Sequence, residues 1–97
     1  MKNDFTEETR AEFAFETTCW RCNRPNPEPH HICGRISNSA LNLYPLCRTC
    51  HSNHGEMKSE PNKKKFLNET IRFLAKNGYK WQPKDIEFYL KHKKYYD

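Results

Sequence analysis

Residues 19–55 read CWRCNRPNPEPHHICGRISNSALNLYPLCRTCHSNHG, and this stretch contains most of the information on the fold. Cys19 with Cys22 and Cys47 with Cys50 form two Cys-x-x-Cys pairs, and 24 residues separate the pairs. Two tight knuckles that each direct two thiolates inward are typical of a tetrahedral four-sulfur zinc site, with Zn²⁺–S distances of about 2.3 Å. Because sulfur fills all four positions, such a zinc is structural and offers no place for water or a substrate.

Two disulfides, or four unrelated buried thiols, are the alternatives for these cysteines. The first twenty residues contain no basic leader followed by an apolar run, so we expect a cytoplasmic protein. In that compartment, Cys-x-x-Cys pairs are more often metal ligands than disulfides. We also expect no membrane partner, since no apolar stretch approaches membrane-spanning length. The fifth cysteine, Cys33, is interpreted as a small buried hydrophobe in a strand, with a ligand or redox role as the alternative.

Composition indicates a folded domain with a small core. The chain has 97 residues, of which 35% are hydrophobic, 30% charged and 13% aromatic. The aromatic content is too high for a disordered tail, and the apolar content is low for a domain held together by burial alone. A structural metal is a common additional source of stability in such domains.

The order of the predicted elements is strand, loop, strand and helix after an acidic N-terminal arm. The arm contains residues 4–16, DFTEETRAEFAFE, which we predict to form a short helix or an extended segment packed on the body. The strands are predicted over 30–34 and 42–46, with a polar loop over 35–41 between them. A helix is predicted to start near Arg48, and Gly55 is expected to disturb the regular helix at its position.

Two further helices are predicted in the last forty residues. Residues 62–77 place apolar and small side chains at helical spacing, and Gly78 is a suitable C-terminal stop. These side chains belong to Phe66, Leu67, Thr70, Ile71 and Leu74. Pro83 suits the first turn of a second helix, for which we predict an inner stripe of Ile86, Tyr89 and Leu90.

The runs PHHICGR and SALNLYPLCRTCHSNHG resemble the HNH family of ββα-metal nucleases, in its four-cysteine branch. The resemblance covers Cys19 to Gly55, a little over a third of the chain. It depends on the double histidine, on the Leu-Cys-x-x-Cys-His block, and on a spacing of nine residues from Asn42 to His51. It implies an α+β fold with a small ββα-metal core, a four-cysteine zinc knuckle and a helical C-terminal extension. The PHHI and GR runs also resemble phage-type nucleases that act on recombination intermediates.

The resemblance also implies roles for individual residues. His30 takes the place of a metal ligand that is frequently Asp in the family, and His31 that of the general base. Asn42 takes the place of the asparagine that ties the hairpin loop and keeps the base aimed. His51 corresponds to the second metal ligand. His54 is either a third ligand or a polar cleft residue that contacts substrate, because colicin-type relatives have their third histidine one residue further along.

Elementary chemistry agrees with these roles. Phosphodiester hydrolysis needs a deprotonated water and a cation that takes up charge on the phosphorane. A neutral imidazole accepts a proton near physiological pH. Adjacent residues of a strand point to opposite sides, so His30 and His31 need a twisted or bulged strand, or a loop edge, to reach one cleft. The expected catalytic divalent metal is Mg²⁺, Mn²⁺, Ni²⁺ or Zn²⁺. A nitrogen-rich site favours the last three, whereas abundance in the cell favours Mg²⁺ or Mn²⁺.

The net charge of +5 is distributed unevenly and favours a polyanionic partner. Residues 1–18 carry a net charge of −3, the remainder +8, and residues 57–97 alone +6. The predicted phosphate contacts are Arg35, Lys63, Lys64, Lys65, Arg72 and Lys76. For any single lysine, the alternative is an ordinary solvated helix face.

These observations predict one HNH nuclease domain over residues 1–97. Its parts are an acidic arm (1–18), a zinc knuckle with the ββα core (19–57) and a basic helical extension (58–97). The expected function is metal-dependent endonucleolytic hydrolysis of DNA. The alternative is a non-catalytic zinc-ribbon module that binds nucleic acid, in which the histidines merely surround the knuckle. One tightly held zinc without a second metal site favours the module, and a weaker, exchangeable second ion favours the nuclease.

Overall fold

The computed structural model describes residues 3–97, which form an α+β architecture, as the sequence predicts. The helices are α1 (Glu7–Ala11), α2 (Arg48–Ser52), α3 (His54–Met57), α4 (Glu60–Lys76) and α5 (Pro83–Lys91). The strands are β1 (Glu28–His31) and β2 (Leu43–Leu46), and single 3₁₀ turns lie at Ala40–Asn42 and Lys93–Tyr95. Across residues 3–97, no helix combines the length and apolarity needed to cross a membrane.

β1 and β2 form an antiparallel hairpin in which His31 is paired with Leu43 at the loop end. The prediction of the first strand over 30–34 is wrong, because the chain turns directly after His31. Gly34 lies in this turn with a φ of +81°, a left-handed conformation that glycine adopts without steric cost. Cys33 is therefore half-buried in a turn and does not belong to a strand.

The segment after the hairpin is close to the prediction but is interrupted at a different residue. β2 begins one residue later than predicted, since Asn42 belongs to the preceding 3₁₀ turn. The predicted helix is divided into α2 and α3 at Asn53, where ψ is 67°, and not at Gly55. His51 and His54 consequently lie on two short helices instead of one continuous helix face.

α4 covers one face of the hairpin and confirms the predicted apolar spacing. Phe66, Leu67, Thr70 and Leu74 are buried and Ile71 is partly buried. The ring of Phe66 stacks on that of Tyr44 in β2, with 3.9 Å between ring centroids. The Thr70 hydroxyl donates a 2.8 Å hydrogen bond to the Leu43 carbonyl, which attaches the helix to the strand. Gly78 follows the end of α4 with a φ of +71°.

α5 begins with Pro83 as predicted, but the predicted inner stripe is wrong. Ile86 and Leu90 are 50% and 62% exposed, whereas Asp85 and Phe88 are buried. The reason is the Asp85 carboxylate, which accepts hydrogen bonds from three donors and so turns this side of the helix inward. These donors are the Ser39 hydroxyl at 2.6 Å, the Tyr79 hydroxyl at 2.5 Å and the Gln82 N–H at 2.7 Å. Tyr89 packs at the edge of the core.

The N-terminal arm, residues 3–18, contains the short helix α1 and packs on the body. Phe5 and Phe13 are buried, while Phe15 is 95% exposed. The ring of Phe13 stacks on that of Phe73 in α4, with 5.1 Å between ring centroids. The arm therefore contributes two aromatic side chains to the main hydrophobic core.

Candidate metal centre and histidine site

The four cysteines of the two Cys-x-x-Cys pairs form one cluster. Their four Sγ atoms all lie within 4.8 Å of one another, and the Sγ atoms of Cys22 and Cys47 are 3.5 Å apart. A tetrahedral zinc with Zn²⁺–S distances of about 2.3 Å separates its sulfurs by about 3.8 Å. The cysteines are free thiols, so the disulfide alternative does not apply to this structure. The cluster is compatible with a structural zinc ion.

Local backbone hydrogen bonds build the cluster from two distant parts of the chain. The first knuckle closes through the Asn23 N–H, which donates to the Cys19 carbonyl at 2.9 Å. Asn23 has a φ of +67°, a conformation that asparagine tolerates better than most residues. The Trp20 N–H donates to the Pro45 carbonyl at 3.1 Å, so the first knuckle is attached to β2. The second knuckle coincides with the start of α2, where Cys47 is the N-cap residue.

The electrostatics of the cluster favour a bound cation. The backbone N–H of Cys50, together with neighbouring thiols, lowers the pKa of Cys47 to about 6. Burial and the same neighbours raise the pKa of Cys50 to about 12. One thiolate therefore forms readily, and further negative charge in the same small volume needs a positive ion to balance it.

His30 is almost completely buried and has an unusual orphan atom. The residue is 1% exposed, and its Nε2 has no hydrogen-bond partner among residues 3–97. Burial, with smaller contributions from nearby charges, lowers the pKa of His30 to about 3, so the ring is neutral. Its ring centroid lies 5.1 Å from that of His51, in an edge-to-face arrangement. A buried imidazole nitrogen without a partner calls for an ion or a water as its explanation.

Glu28 orients His51, and sequence reasoning missed this residue. The Glu28 carboxylate accepts a 2.9 Å hydrogen bond from His51 Nδ1 and lies 3.4 Å from Nε of Arg48. The bond from His51 and the charge of Arg48 hold the pKa of Glu28 below its usual range. Because the carboxylate holds the proton on Nδ1, Nε2 is the ring nitrogen of His51 that could face a metal. One feature of the sequence could have revealed Glu28: side chains alternate along a strand, so residues 28 and 30 of β1 lie on the same face.

His54 is exposed and lies beside His51, with 6.0 Å between ring centroids. Among the described residues, the cysteine cluster alone unites three or more ligand atoms of His, Cys, Asp or Glu within 4.8 Å of one another. The ring of His51 therefore lies next to those of both His30 and His54. The three rings do not bring three ligand atoms within 4.8 Å of one another.

His31 points to different neighbours from His30. Its Nε2 lies 2.9 Å from the carbonyl oxygen of Asn3, and its ring stacks on that of Phe5 with 4.1 Å between centroids. Burial lowers the pKa of His31, and the bond to Asn3 opposes this effect. The β1–β2 register is continuous through His31, so no bulge brings the two histidines together. His31 instead lies at the loop edge, as the last residue of β1.

Asn42 ties the loop that follows His31. Its side chain is completely buried, and its Oδ1 accepts a 2.8 Å hydrogen bond from the Cys33 N–H. Its Nδ2 donates to the carbonyls of Gly34 at 3.0 Å and Ser37 at 2.9 Å. One amide thus replaces the strand pairing that the loop backbone lacks, and it fixes the chain immediately after the histidine pair.

The predicted phosphate contacts do not form one surface. Lys63 pairs with Glu60 at 3.2 Å, and Lys64 with Asp97 at 3.2 Å. Successive residues of a helix differ by about 100° around its axis, so Lys65 lies on another side, together with Arg72 and Lys76. All three of these residues are exposed. Arg35, at the hairpin loop, is half-exposed and pairs with Asp4 at 2.5 Å.

Lys58 lies closer to the histidines than sequence reasoning indicated. Its Nζ is 3.7 Å from the position that a Cβ atom on Gly34 would take. After burial, its charge is one of the factors that lower the pKa of both His30 and His31. This position has little signal in the sequence, because Lys58 is one of eleven basic residues after residue 56.

Comparisons with protein-family models, with curated proteins and with solved structures found no match to the chain.

Proposed function

We propose that the chain is a metal-dependent HNH-type endonuclease that hydrolyses phosphodiester bonds of DNA. The observation that carries this proposal is the buried, unpartnered Nε2 of His30 beside the ring of His51, whose tautomer Glu28 fixes. A zinc-stapled fold has no structural need for such a pair. Imidazole nitrogens are preferred donors for transition metals, and His30 and His51 bring two imidazole rings together at one place.

His30 and His51 would hold the catalytic ion, and His54 would either join them or contact the substrate. A divalent cation bound here supplies charge stabilisation for the phosphorane and for the leaving oxygen. Imidazole donors favour Mn²⁺, Ni²⁺ and Zn²⁺ over Mg²⁺. Glu28 has a supporting role, because a carboxylate that orients a ligand histidine strengthens metal binding.

His31 would act as the general base. It is the last residue of β1, at the loop edge, and from this position its ring would have to reach a phosphate bound at the metal. Asn42 would keep the base aimed by holding the loop next to it. Lys58, whose ammonium lies over Gly34, is the cation best located to contact that phosphate.

A second candidate is a zinc-ribbon module that binds nucleic acid without cutting it. The closed cysteine cluster favours this candidate, because it is the metal-binding group with all four ligands in place within residues 3–97. The module does not account for the orphan nitrogen of His30 or for the Glu28–His51 bond. Both functions would need basic side chains that contact phosphate.

The test is plasmid nicking by the zinc-loaded protein, with and without added Mn²⁺, Ni²⁺ or Mg²⁺. We expect nicking that depends on the added metal and disappears in His30→Ala. His92→Gln is the matched control, because His92 lies at the end of α5, where its Nδ1 bonds to the Phe88 carbonyl. Tight DNA binding without nicking in the presence of every metal would contradict the nuclease proposal and favour the binding module.

A further inference from the structure

The N-terminal arm reaches the histidine site at its first described residues. The Asn3 carbonyl oxygen is 2.9 Å from Nε2 of His31. Two residues later, the ring of Phe5 lies nearly parallel to the His31 ring, with an angle of 14° between planes. The arm thus contacts both an edge and a face of this imidazole.

The chemistry of the partner decides which nitrogen carries the proton. A backbone carbonyl only accepts hydrogen bonds, so Nε2 of neutral His31 must carry the hydrogen and donate it to Asn3. The lone pair is then on Nδ1, for which residues 3–97 provide no hydrogen-bond donor. In this state Nδ1 is the atom that can take a proton from water.

Several further interactions fix the segment of the arm that contacts His31. Phe5 is 5% exposed and belongs to the hydrophobic core. The side-chain amide of Asn3 donates a 2.6 Å hydrogen bond to the Arg35 carbonyl, and Asp4 pairs with the Arg35 guanidinium at 2.5 Å. Asn38 donates to the Asp4 carbonyl at 3.4 Å. Two residues of the loop that follows His31, Arg35 and Asn38, therefore hold the arm in place.

The backbone of Asn3 is also specific to its residue type. Its φ is +61°, in the left-handed region that asparagine and glycine tolerate and β-branched residues avoid. This conformation, together with the side-chain bond to Arg35, fixes the direction of the peptide group that carries the accepting oxygen. The sequence does not reveal the contact, because 28 residues separate Asn3 from His31.

We propose that the N-terminal arm is a positioning element of the nuclease site, in which the Asn3 carbonyl and the Phe5 ring fix the tautomer and orientation of His31. This inference rests on the proposed function, since it assigns the arm to the general base. It gives the acidic arm a role in the chemical step, with Asn3 as a positioning residue that does not touch substrate.

The experiment compares Asn3→Val, Asn3→Gly and Phe5→Leu with the parent in the full chain. Valine disfavours the left-handed backbone and removes the amide, whereas glycine keeps the backbone conformation accessible. Phe5→Leu keeps an apolar side chain but removes the stacked ring. Phe15→Ala is the matched control, because Phe15 lies in the same arm and is 95% exposed. Circular dichroism and melting establish that each variant is folded.

Two readouts separate positioning from a merely structural role. Long-range ¹H–¹⁵N NMR of His31 in the parent should show the Nε2–H tautomer with a slowly exchanging proton, and Asn3→Val should lose that slow exchange. Nicking at saturating DNA and metal should fall about tenfold to a hundredfold in Asn3→Val, the usual effect of a misplaced catalytic group. The DNA concentration at half-saturation should not change, and Asn3→Gly and Phe5→Leu should lie between Asn3→Val and the control.

The outcomes distinguish the arm from the proposed function. An Nδ1–H tautomer in the parent, or unchanged nicking in a folded Asn3→Val, would overturn the positioning role. Faster nicking in Asn3→Val would also overturn it, since the arm would then be an obstacle to substrate. If the parent shows the Nε2–H tautomer but never nicks DNA, the contact between Asn3 and His31 is confirmed. The proposed nuclease function is then wrong, and with it the positioning role.

Discussion

The cysteine cluster and the histidine site are constructed in different ways. The cluster is closed, because each of two knuckles supplies two sulfurs and all four lie within 4.8 Å of one another. The histidine site is open, with His30 and His51 on different elements and one buried nitrogen lacking a partner among residues 3–97. A closed site stabilises the fold, and an open one leaves coordination positions for water and substrate. The difference favours stability as the role of the first region and chemistry as that of the second.

The largest expected effect is the loss of the fold when the closed region is broken. Cys22→Ser or Cys47→Ser should unfold the chain, because one zinc ion would join two knuckles that are distant in sequence. Circular dichroism and thermal melting measure this effect, and zinc release measured with a chelating dye should accompany it. Cys33→Ser is the control, since Cys33 is half-buried in a turn outside the cluster. A parent-like melting curve for Cys47→Ser would contradict a structural metal.

His31→Ala should leave the fold intact and remove most of the nicking activity. Loss of a general base typically costs about 10²-fold to 10⁴-fold in rate. The loss should appear in the rate at saturating DNA, and raising the metal concentration should not restore it. His51→Ala should differ, because part of its lost activity should return at high metal. Metal rescue of His31→Ala as complete as that of His51→Ala would remove the distinction between base and ligand.

Glu28→Gln should produce an intermediate effect that sharpens the comparison. A glutamine side chain keeps the size of Glu28 but weakens its hold on the Nδ1 proton of His51. Changes in such supporting groups typically reduce metal affinity about tenfold to a hundredfold. A titration of nicking against Mn²⁺ should shift to higher metal with little change in the maximal rate. The zinc content and melting temperature should stay those of the parent, because Glu28 does not belong to the cysteine cluster.

Local sequence patterns were sufficient for the parts that depend on spacing. The two Cys-x-x-Cys pairs predicted the cluster, and the apolar positions of residues 62–77 predicted α4 and its buried face. The family resemblance implied that Asn42 holds the hairpin loop. The Asn42 side chain does make three hydrogen bonds to that loop. Each of these features is determined within one segment or by a recurrent motif.

Other features depend on contacts that local patterns do not contain. The rotation of α5 is determined by a buried carboxylate, Asp85, and hydrophobic periodicity alone indicated the wrong face. The first strand was predicted too far along the chain. Side-chain hydrogen bonds of Asn42 hold the residues after His31 in a loop, and hydrophobic periodicity does not contain this information. The contact of Asn3 with His31 joins the two ends of a long stretch, so only the tertiary structure reveals it.

The smallest expected effect concerns the basic surface, and the structure changes how it should be tested. Lys65, Arg72 and Lys76 share one side of α4, whereas Lys63 and Lys64 are engaged with Glu60 and Asp97. Neutralising all three consecutive lysines together would therefore mix charges from two sides of the helix. The better comparison is Lys65→Gln/Arg72→Gln/Lys76→Gln against Lys63→Gln/Lys64→Gln.

The first of these variants should weaken DNA binding and flatten its dependence on salt. Each phosphate contact contributes about 0.9 to the slope of log affinity against log salt, because a bound cation releases condensed counterions. We expect a reduction of about two to three in that slope for the triple variant and less than about one for the double variant. Fluorescence anisotropy across a salt series measures both, and nicking at saturating DNA should stay near the parent value. Equal slopes for the parent and the triple variant would show that this side of α4 does not contact phosphate, and would leave Lys58, above Gly34, as the principal cation at the site.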